Sequence, residues 1–174
     1  MINFKAALKT LTDGQVSFIV VGRYAGVVQG SAQVTRDLDI CYERTPANMK
    51  RIATALAPYH PRLRGAPAGH LFVLDERTLA QGMNFTFQTD FGDTDLGDID
   101  LLGELSGVGQ FSELTVDAVL IELYGMQIRV ASLDVLIRSK RTAGRPKDLS
   151  VLPELEALQE MQALQIRDQS KKPD

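Results

Sequence analysis

Residues 35–40 (TRDLDI) alternate acidic and apolar side chains in a run that predicts a strand. Positions i and i+2 of a strand point to the same side, so Asp37 and Asp39 are expected to be neighbours. The apolar Leu38 and Ile40 would then point into the protein. Two carboxylates that close repel each other unless they share a proton or a cation. A magnesium ion carrying phosphates would remove the conflict, and an edge strand with its acids in solvent is the plainer alternative.

The residues before this strand strengthen the interpretation of a phosphate site. Residues 15–21 (QVSFIVV) are typical of a buried strand that ends at Gly22, and residues 23–28 predict a short helix. This order brings the backbone of the glycine turn close to the two carboxylates. The N–H groups of such a turn can face phosphate oxygens.

A later acidic strand, residues 97–102 (GDIDLL), supplies a third carboxylate. Asp100 is favoured over Asp98 because it lies deeper in the apolar run, although an ideal strand puts both on one face. Three carboxylates can hold two metal ions about 3.5–4 Å apart, which clamp the attacking and leaving oxygens of phosphoryl or nucleotidyl transfer.

Two other metal sites fit the sequence less well. Asp90, Asp93 and Asp95 precede the third acidic strand, but the spacing of a calcium-binding loop is absent. The histidines His60 and His70 have no further histidine and only one cysteine to complete a zinc site, so both are expected to be surface or loop residues.

Three blocks of the sequence are residues 21–25 (VGRYA), 30–40 (GSAQVTRDLDI) and 98–102 (DIDLL). They resemble the nucleotidyltransferase fold shared with polymerase beta, whose signature is a glycine turn, an Asp-x-Asp pair and a later single acid. A fourth block, residues 130–140 (VASLDVLIRSK) with 144–149 (GRPKDL), is similar to the C-terminal part of small stand-alone bacterial nucleotidyltransferases, a group that includes abortive-infection toxins of toxin–antitoxin pairs. The resemblance spans roughly residues 15–160 and implies an α/β (α+β) fold, a mixed sheet flanked by helices with further C-terminal helices.

The resemblance implies transfer of a nucleoside monophosphate from an NTP to a hydroxyl of an RNA, a protein or a small molecule. It implies Asp37, Asp39 and Asp100 as catalytic ligands of two Mg²⁺ ions, for which Mn²⁺ could substitute. A cognate small helical protein would be the partner if the chain is a toxin. The nucleotide-binding residues implied or suggested by charge are Gly22, Arg23, Ser31, Lys140, Arg145 and Lys147.

Two positions depart from the family pattern. Arg23 stands where a small residue normally lets the triphosphate approach, and Gln33 stands where relatives carry a basic residue. The guanidinium of Arg23 suits phosphate oxygens and could bind them. Alternatively it fills the nucleotide site, and the protein is a catalytically impaired nucleotide- or partner-binding protein of the same fold.

Charge is unevenly distributed along the chain. A net charge of −3 and a pI near 5.4 argue against a protein that coats nucleic acid through its overall charge. Five cations nevertheless fall within ten residues, where they could receive a triphosphate or an RNA backbone, or form a solvated helix face. They are Arg138, Lys140, Arg141, Arg145 and Lys147.

The 174 residues, 44% of them hydrophobic, suffice for one domain over residues 1–168, with a disordered tail over residues 169–174. The single cysteine, Cys41, is expected to be a small core residue, which suits the reducing cytoplasm. No leader and no apolar run near 18 residues is apparent, so no membrane association is expected.

Capping and periodicity predict the remaining elements. We expect a first helix capped by Asn3, a second that begins at Thr45-Pro46, and a third from Ser132 to about Arg141 that stops at Gly144. Residues 58–70 predict a long loop. The other predicted elements are strands over residues 84–89 and 98–102, a hairpin of residues 119–123 and 126–130, and a helix over about residues 146–165 that Pro153 delays or kinks.

Overall fold

A computed structural model describes residues 2–67, 72–89 and 97–169. The helices are α1 (Phe4–Asp13), α2 (Gly22–Val27), α3 (Pro46–Leu56), α4 (Glu76–Gln81), α5 (Phe111–Asp117), α6 (Leu133–Ala143), α7 (Pro146–Leu149) and α8 (Leu152–Gln169). The strands are β1 (Phe18–Val20), β2 (Asp37–Tyr42), β3 (Arg62–Leu63), β4 (Asn84–Thr89), β5 (Gly97–Leu102), β6 (Glu104–Leu105), β7 (Gly109–Gln110), β8 (Val119–Leu123) and β9 (Met126–Val130).

Seven strands form one mixed sheet in the order β3-β4-β5-β2-β1-β9-β8, and β6 pairs with β7 separately. The β2–β5 and β1–β9 pairs are parallel, and the other pairs are antiparallel. Parallel neighbours require long crossovers, which here contain helices. The acidic strand β2 therefore lies inside the sheet with a partner on each side, not at an edge. Its Leu38 and Ile40 are fully buried, as their alternation with the acids predicts.

Local sequence signals explain most element boundaries. The side chains of Asn3, Thr45 and Ser132 accept hydrogen bonds from the first turns of α1, α3 and α6, which confirms the three predicted caps. Helix α6 ends at Gly144 in the left-handed conformation. Tyr124 and Gly125 both have positive φ between β8 and β9, so the predicted tight hairpin is also confirmed.

Several predictions about local structure are wrong. Residues 58–67 of the predicted loop are not a plain loop, since they continue a 3₁₀ turn (Ala57–Tyr59) and contain β3, which pairs with β4; residues 68–70 lie outside the described residues. A two-residue strand has too few side chains to show a period of two. The first strand begins only at Phe18, because Gln15 has a left-handed backbone and lies in the turn that follows α1. Helices α4 and α5 are short and were not predicted from the sequence.

The C-terminal region contains two helices where one was predicted. The chain leaves α7 at Leu149, and Pro153 lies in the first turn of α8, where its missing N–H has no intrahelical partner to lose. Residues 170–174 of the predicted tail, His70, and Asp90, Asp93 and Asp95 lie outside the described residues. Within the described ranges, none of the helices combines the length and apolar character needed to cross a bilayer.

The buried Asn48 connects α3 to the ends of β1 and of the acidic strand β2. Its side-chain carbonyl accepts the N–H of Ser17 at 2.7 Å, and its amide donates to the carbonyls of Ser17 at 2.9 Å and Glu43 at 2.8 Å. Ser17 precedes β1 and Glu43 follows β2. These bonds satisfy three backbone groups at the end of the central strand pair.

Asn48→Ala is expected to lower the free energy of unfolding by about 3 kcal/mol, because the N–H of Ser17 and the carbonyl of Glu43, both part-buried, lose this hydrogen-bond partner. Urea denaturation followed by circular dichroism measures the change. Asn3→Ala removes an exposed helix cap instead and should cost about 1 kcal/mol. A cost for Asn48→Ala no larger than that of Asn3→Ala would contradict this role.

Candidate active site

The parallel pairing of β2 with β5 aligns four carboxylates in two rows. Asp37 lies beside Asp98, and Asp39 lies beside Asp100. All four occupy alternate positions of their strands and therefore share one face of the sheet. The sequence showed each pair separately, but it could not show which acid of one strand stands beside which acid of the other.

Asp39 lies in a repulsive, partly buried environment. Burial raises its pKa to about 7, and the negative charges of Asp100 and Asp37 add to the shift. The nearby Lys140 opposes the shift but does not cancel it. At neutral pH this carboxyl is therefore poised between its protonated and charged forms, and a cation beside it would favour the charged form.

The two acids of β5 have different surroundings. Asp98 Oδ2 forms an ion pair with Arg64 Nη1 at 3.2 Å. Asp100 instead lines the cavity beside Asp37 and Asp39, and its Oδ1 is buried with no hydrogen-bond partner. A buried acceptor without a donor is costly unless something absent from the free protein satisfies it. The geometry favours Asp100 over Asp98 as the third acid of the site.

Gly22 lies against the carboxylate of Asp39. Its φ is +64°, and a Cβ built on it would lie 2.0 Å from Asp39 Oδ2. A side chain at this position would displace the acid, so glycine is required by both backbone conformation and space. From the sequence, Gly22 was expected to let phosphate groups approach the backbone. The structure adds a second reason for glycine, the close contact with the Asp39 carboxylate.

A cavity of about 580 Å³ opens over these residues. It brings together every site residue predicted from the sequence except Ser31: Gly22, Arg23, Asp37, Asp39, Asp100, Lys140, Arg145 and Lys147. Ser31 is buried outside the cavity lining, where its hydroxyl donates to Glu154 Oε1 at 3.0 Å. Gln33 donates to Glu154 Oε2 at 3.1 Å. Glu154 thus fastens the loop that leads into β2 to helix α8.

Asp148 organises the cationic wall of the cavity. It is buried, and its carboxylate contacts Lys140 Nζ at 3.7 Å and Arg145 Nε at 2.5 Å. Burial raises the pKa of Asp148, but the hydrogen bond and charge of Arg145, with the charge of Lys140, lower it overall. Burial lowers the pKa of Lys140. Sequence reasoning missed Asp148, although its i,i+3 spacing from Arg145 on a helical turn is a usable signal.

No protein-family model matches the sequence, and no curated protein matches it. The fold does match a solved structure, the crystal structure of a "putative nucleotidyltransferase" from Thermotoga maritima. The two chains are 15% identical, the match covers 94% of this chain and 96% of the other, and the TM-score is 0.50.

The chain has a nucleotidyltransferase-like fold.

The donor set of this nucleotidyltransferase-like fold fits a hard divalent cation. Asp37, Asp39 and Asp100 offer only carboxylate oxygens to one cavity, the ligands that Mg²⁺ prefers. The unpartnered Asp100 Oδ1 and the raised pKa of Asp39 are features that a bound cation would relieve. Among the described residues, no three Asp, Glu, His or Cys side chains lie close enough together to hold a metal ion in the structure as it stands. Binding would therefore draw the carboxylates together.

Proposed function

We propose that the protein is a metal-dependent nucleotidyltransferase that moves a nucleoside monophosphate from an NTP to an acceptor hydroxyl. The observation that carries the proposal is one cavity lined by carboxylates of two parallel strands and by a wall of cations. Phosphoryl chemistry requires mainly positioning and electrostatic stabilisation from the protein, and this arrangement offers both. The fold match is consistent with the proposal.

In this proposal each wall of the cavity has a separate task. Lys140, Arg145 and Lys147, with Arg23 beside the glycine turn, bind the triphosphate of the NTP. Asp37, Asp39 and Asp100 hold two Mg²⁺ ions, for which Mn²⁺ could substitute. When bound, the ions would polarise the α-phosphate and lower the pKa of the acceptor hydroxyl. Asp148 keeps Lys140 and Arg145 in place.

The reaction forms one bond to phosphorus and breaks another. The acceptor oxygen bonds to the α-phosphorus, and the bond from that phosphorus to the α–β bridging oxygen breaks, so that pyrophosphate leaves. The proton of the hydroxyl is released to water, because the lowered pKa of the hydroxyl favours its loss.

The proposal is tested by transfer of label from each α-³²P-labelled NTP to total RNA and cell extract in the presence of Mg²⁺. The double variant Asp37→Asn, Asp39→Asn and a reaction with EDTA are the controls. Label on RNA, protein or a small molecule with the wild type alone would support nucleotidyl transfer and reveal the acceptor class. No transfer, with the NTPs and acceptors recovered intact, would overturn it.

The alternative is a catalytically impaired binding protein in which Arg23 blocks the nucleotide site. Arg23 lines the cavity but is itself exposed, so its guanidinium does not occupy the interior. Its charge lowers the pKa of Lys140, which is expected of two cations that share a phosphate site.

Arg23→Gly is therefore expected to weaken NTP binding about tenfold, because one charge-assisted contact to the triphosphate is lost. The KM for the NTP, or the Kd from calorimetry, measures the change. A gain in affinity or turnover would show that Arg23 obstructs the site and would favour the alternative.

The proposal also includes a toxin role in the cytoplasm, opposed by a small helical partner protein, on the basis of the sequence resemblance. Expression of the wild type should then arrest bacterial growth, and expression of the double Asp37→Asn, Asp39→Asn variant should not. Co-expression of a small helical protein encoded beside this gene should relieve the arrest. Growth equal to that of the double variant would remove the toxin role and leave nucleotidyl transfer to the labelling experiment.

A further inference from the structure

Cationic side chains flank the carboxylates on two opposite sides of the cavity. The sheet order runs from β3 and β4 through the acidic strands β5 and β2 to β1 and β9. Arg23 follows β1. After β9 come Lys140 on α6, Arg145 between α6 and α7, and Lys147 on α7. Arg64 follows β3 and is the lining cation on the other side. The acids therefore separate Arg64 from the triphosphate wall.

Arg64 is held in place but keeps hydrogen-bonding capacity. Its backbone N–H donates to the carbonyl of Thr86 at 2.9 Å, which extends the β3–β4 pairing by one residue. Its side chain is 45% exposed, and among the residues that the structure describes it contacts Asp98 through Nη1 alone. A guanidinium has five N–H donors, so a single contact leaves donors for another oxyanion. Asp98 thus fixes an arginine at the open margin of the cavity.

We propose that Arg64 binds a phosphate group of the acceptor, which enters over the β3–β4 edge of the sheet; this inference rests on the proposed nucleotidyl transfer. In an in-line displacement, the attacking hydroxyl and the leaving pyrophosphate lie on opposite sides of the α-phosphorus. With the β- and γ-phosphates against Lys140 and Arg145, the hydroxyl must approach from the side of Arg64.

The chemistry of this side favours an RNA strand as the acceptor. A guanidinium suits a phosphodiester and disfavours a polycationic small molecule such as an aminoglycoside. Thr86 and Leu102 line the same side and offer one hydroxyl and one apolar contact to a nucleotide. An RNA end carries its terminal hydroxyl one nucleotide from a phosphodiester, which places both groups within reach of one site.

The contact is tested by the affinity of the protein for a 5′-fluorescein single-stranded RNA with a free 3′-hydroxyl, measured by anisotropy at several salt concentrations. The decisive comparison is the Asp98→Asn variant against the double variant Asp98→Asn, Arg64→Ala. Both proteins lack the Asp98 carboxylate, so removal of Arg64 leaves no unpaired acid at this position. The double variant should bind about tenfold more weakly, with a log–log salt slope lower by about 0.7. Arg129→Ala removes the same charge from an exposed position of β9 outside the cavity and should bind like the wild type.

Three results would overturn the inference: no binding of the RNA by the wild type, equal affinity of the Asp98→Asn protein with and without Arg64, or an equal loss with Arg129→Ala. Competition by a nucleoside monophosphate as strong as by the RNA would assign the site to a small phosphorylated acceptor instead. Arg64-dependent RNA binding without transfer of label would retain the contact and remove the proposed reaction. Transfer of label to RNA at the same rate with and without Arg64 would retain the proposed reaction and remove the contact.

Discussion

Asp39→Asn is expected to lower nucleotidyl transfer about 1,000-fold, the upper range for loss of one electrostatic group at a phosphoryl or acyl centre. Asp39 lines the cavity with Asp37 on the same strand and Asp100 on the neighbouring strand, and its carboxylate lies against the glycine turn. Asparagine keeps the shape but removes the charge that would attract a divalent cation. Label transfer from an α-labelled NTP at saturating Mg²⁺ measures the loss.

The same substitution is expected to stabilise the metal-free protein at high pH. Folding raises the pKa of Asp39 from its ordinary value to about 7, so the folded state binds this proton more tightly than the unfolded state. The charged form therefore costs stability, and the cost grows as pH rises through this range and is complete above pH 7. Asparagine has no such cost, and we expect a gain on the order of 2 kcal/mol at pH 8 that shrinks at pH 5.5.

Thermal unfolding in EDTA at the two pH values measures this stability difference. Asp13→Asn removes a carboxylate from the exposed end of α1 and serves as the control for net charge. The Asp13→Asn variant should transfer label at the wild-type rate. An Asp39→Asn protein that keeps a tenth of wild-type activity, or that is less stable than wild type at pH 8, would contradict the role assigned to this acid.

Gly22→Ala is expected to reduce transfer at least about 100-fold and also to destabilise the protein. The added Cβ would lie 2.0 Å from Asp39 Oδ2, so the carboxylate must move. A displacement near 1 Å at a reacting centre costs about 100-fold in rate. The left-handed φ of +64° adds about 1–2 kcal/mol of backbone strain with any side chain.

Gly125→Ala is the matched control for this strain. Gly125 has a φ of +79° in the β8–β9 turn, and a Cβ there meets nothing within 4 Å. The Gly125→Ala variant should lose only the about 1–2 kcal/mol of stability that the backbone strain costs, and it should keep full transfer activity. Equal stability losses in the two variants, with activity retained by Gly22→Ala, would show that the close approach of the Asp39 carboxylate does not matter.

The acidic strands and most helix boundaries could be predicted because their signals are local. The alternation of Asp37 and Asp39 with buried Leu38 and Ile40 is fixed by the two-residue period of a strand. Caps at Thr45 and Ser132 act within a single turn. These features need no knowledge of distant parts of the chain.

The choice among the acids and cations depended on long-range pairing that the sequence does not contain. Asp100 stands beside Asp39 only through the parallel register of β5 with β2. Asp98 is engaged by Arg64 because the two-residue strand β3 pairs with β4. Ser31 was predicted at the site, yet Glu154 holds it outside the cavity lining through a contact 123 residues away in sequence.

If this cavity breaks the bond between the α-phosphorus of an NTP and the α–β bridging oxygen, the stoichiometry of the two products is the most direct measurement of it. The wild type, given Mg²⁺, RNA and an NTP labelled in parallel at the α- or γ-phosphate, is expected to release one pyrophosphate for each α-label that joins the acceptor. Label from the γ-phosphate on the acceptor, or release of inorganic phosphate in place of pyrophosphate when no pyrophosphatase activity is present, would contradict nucleotidyl transfer.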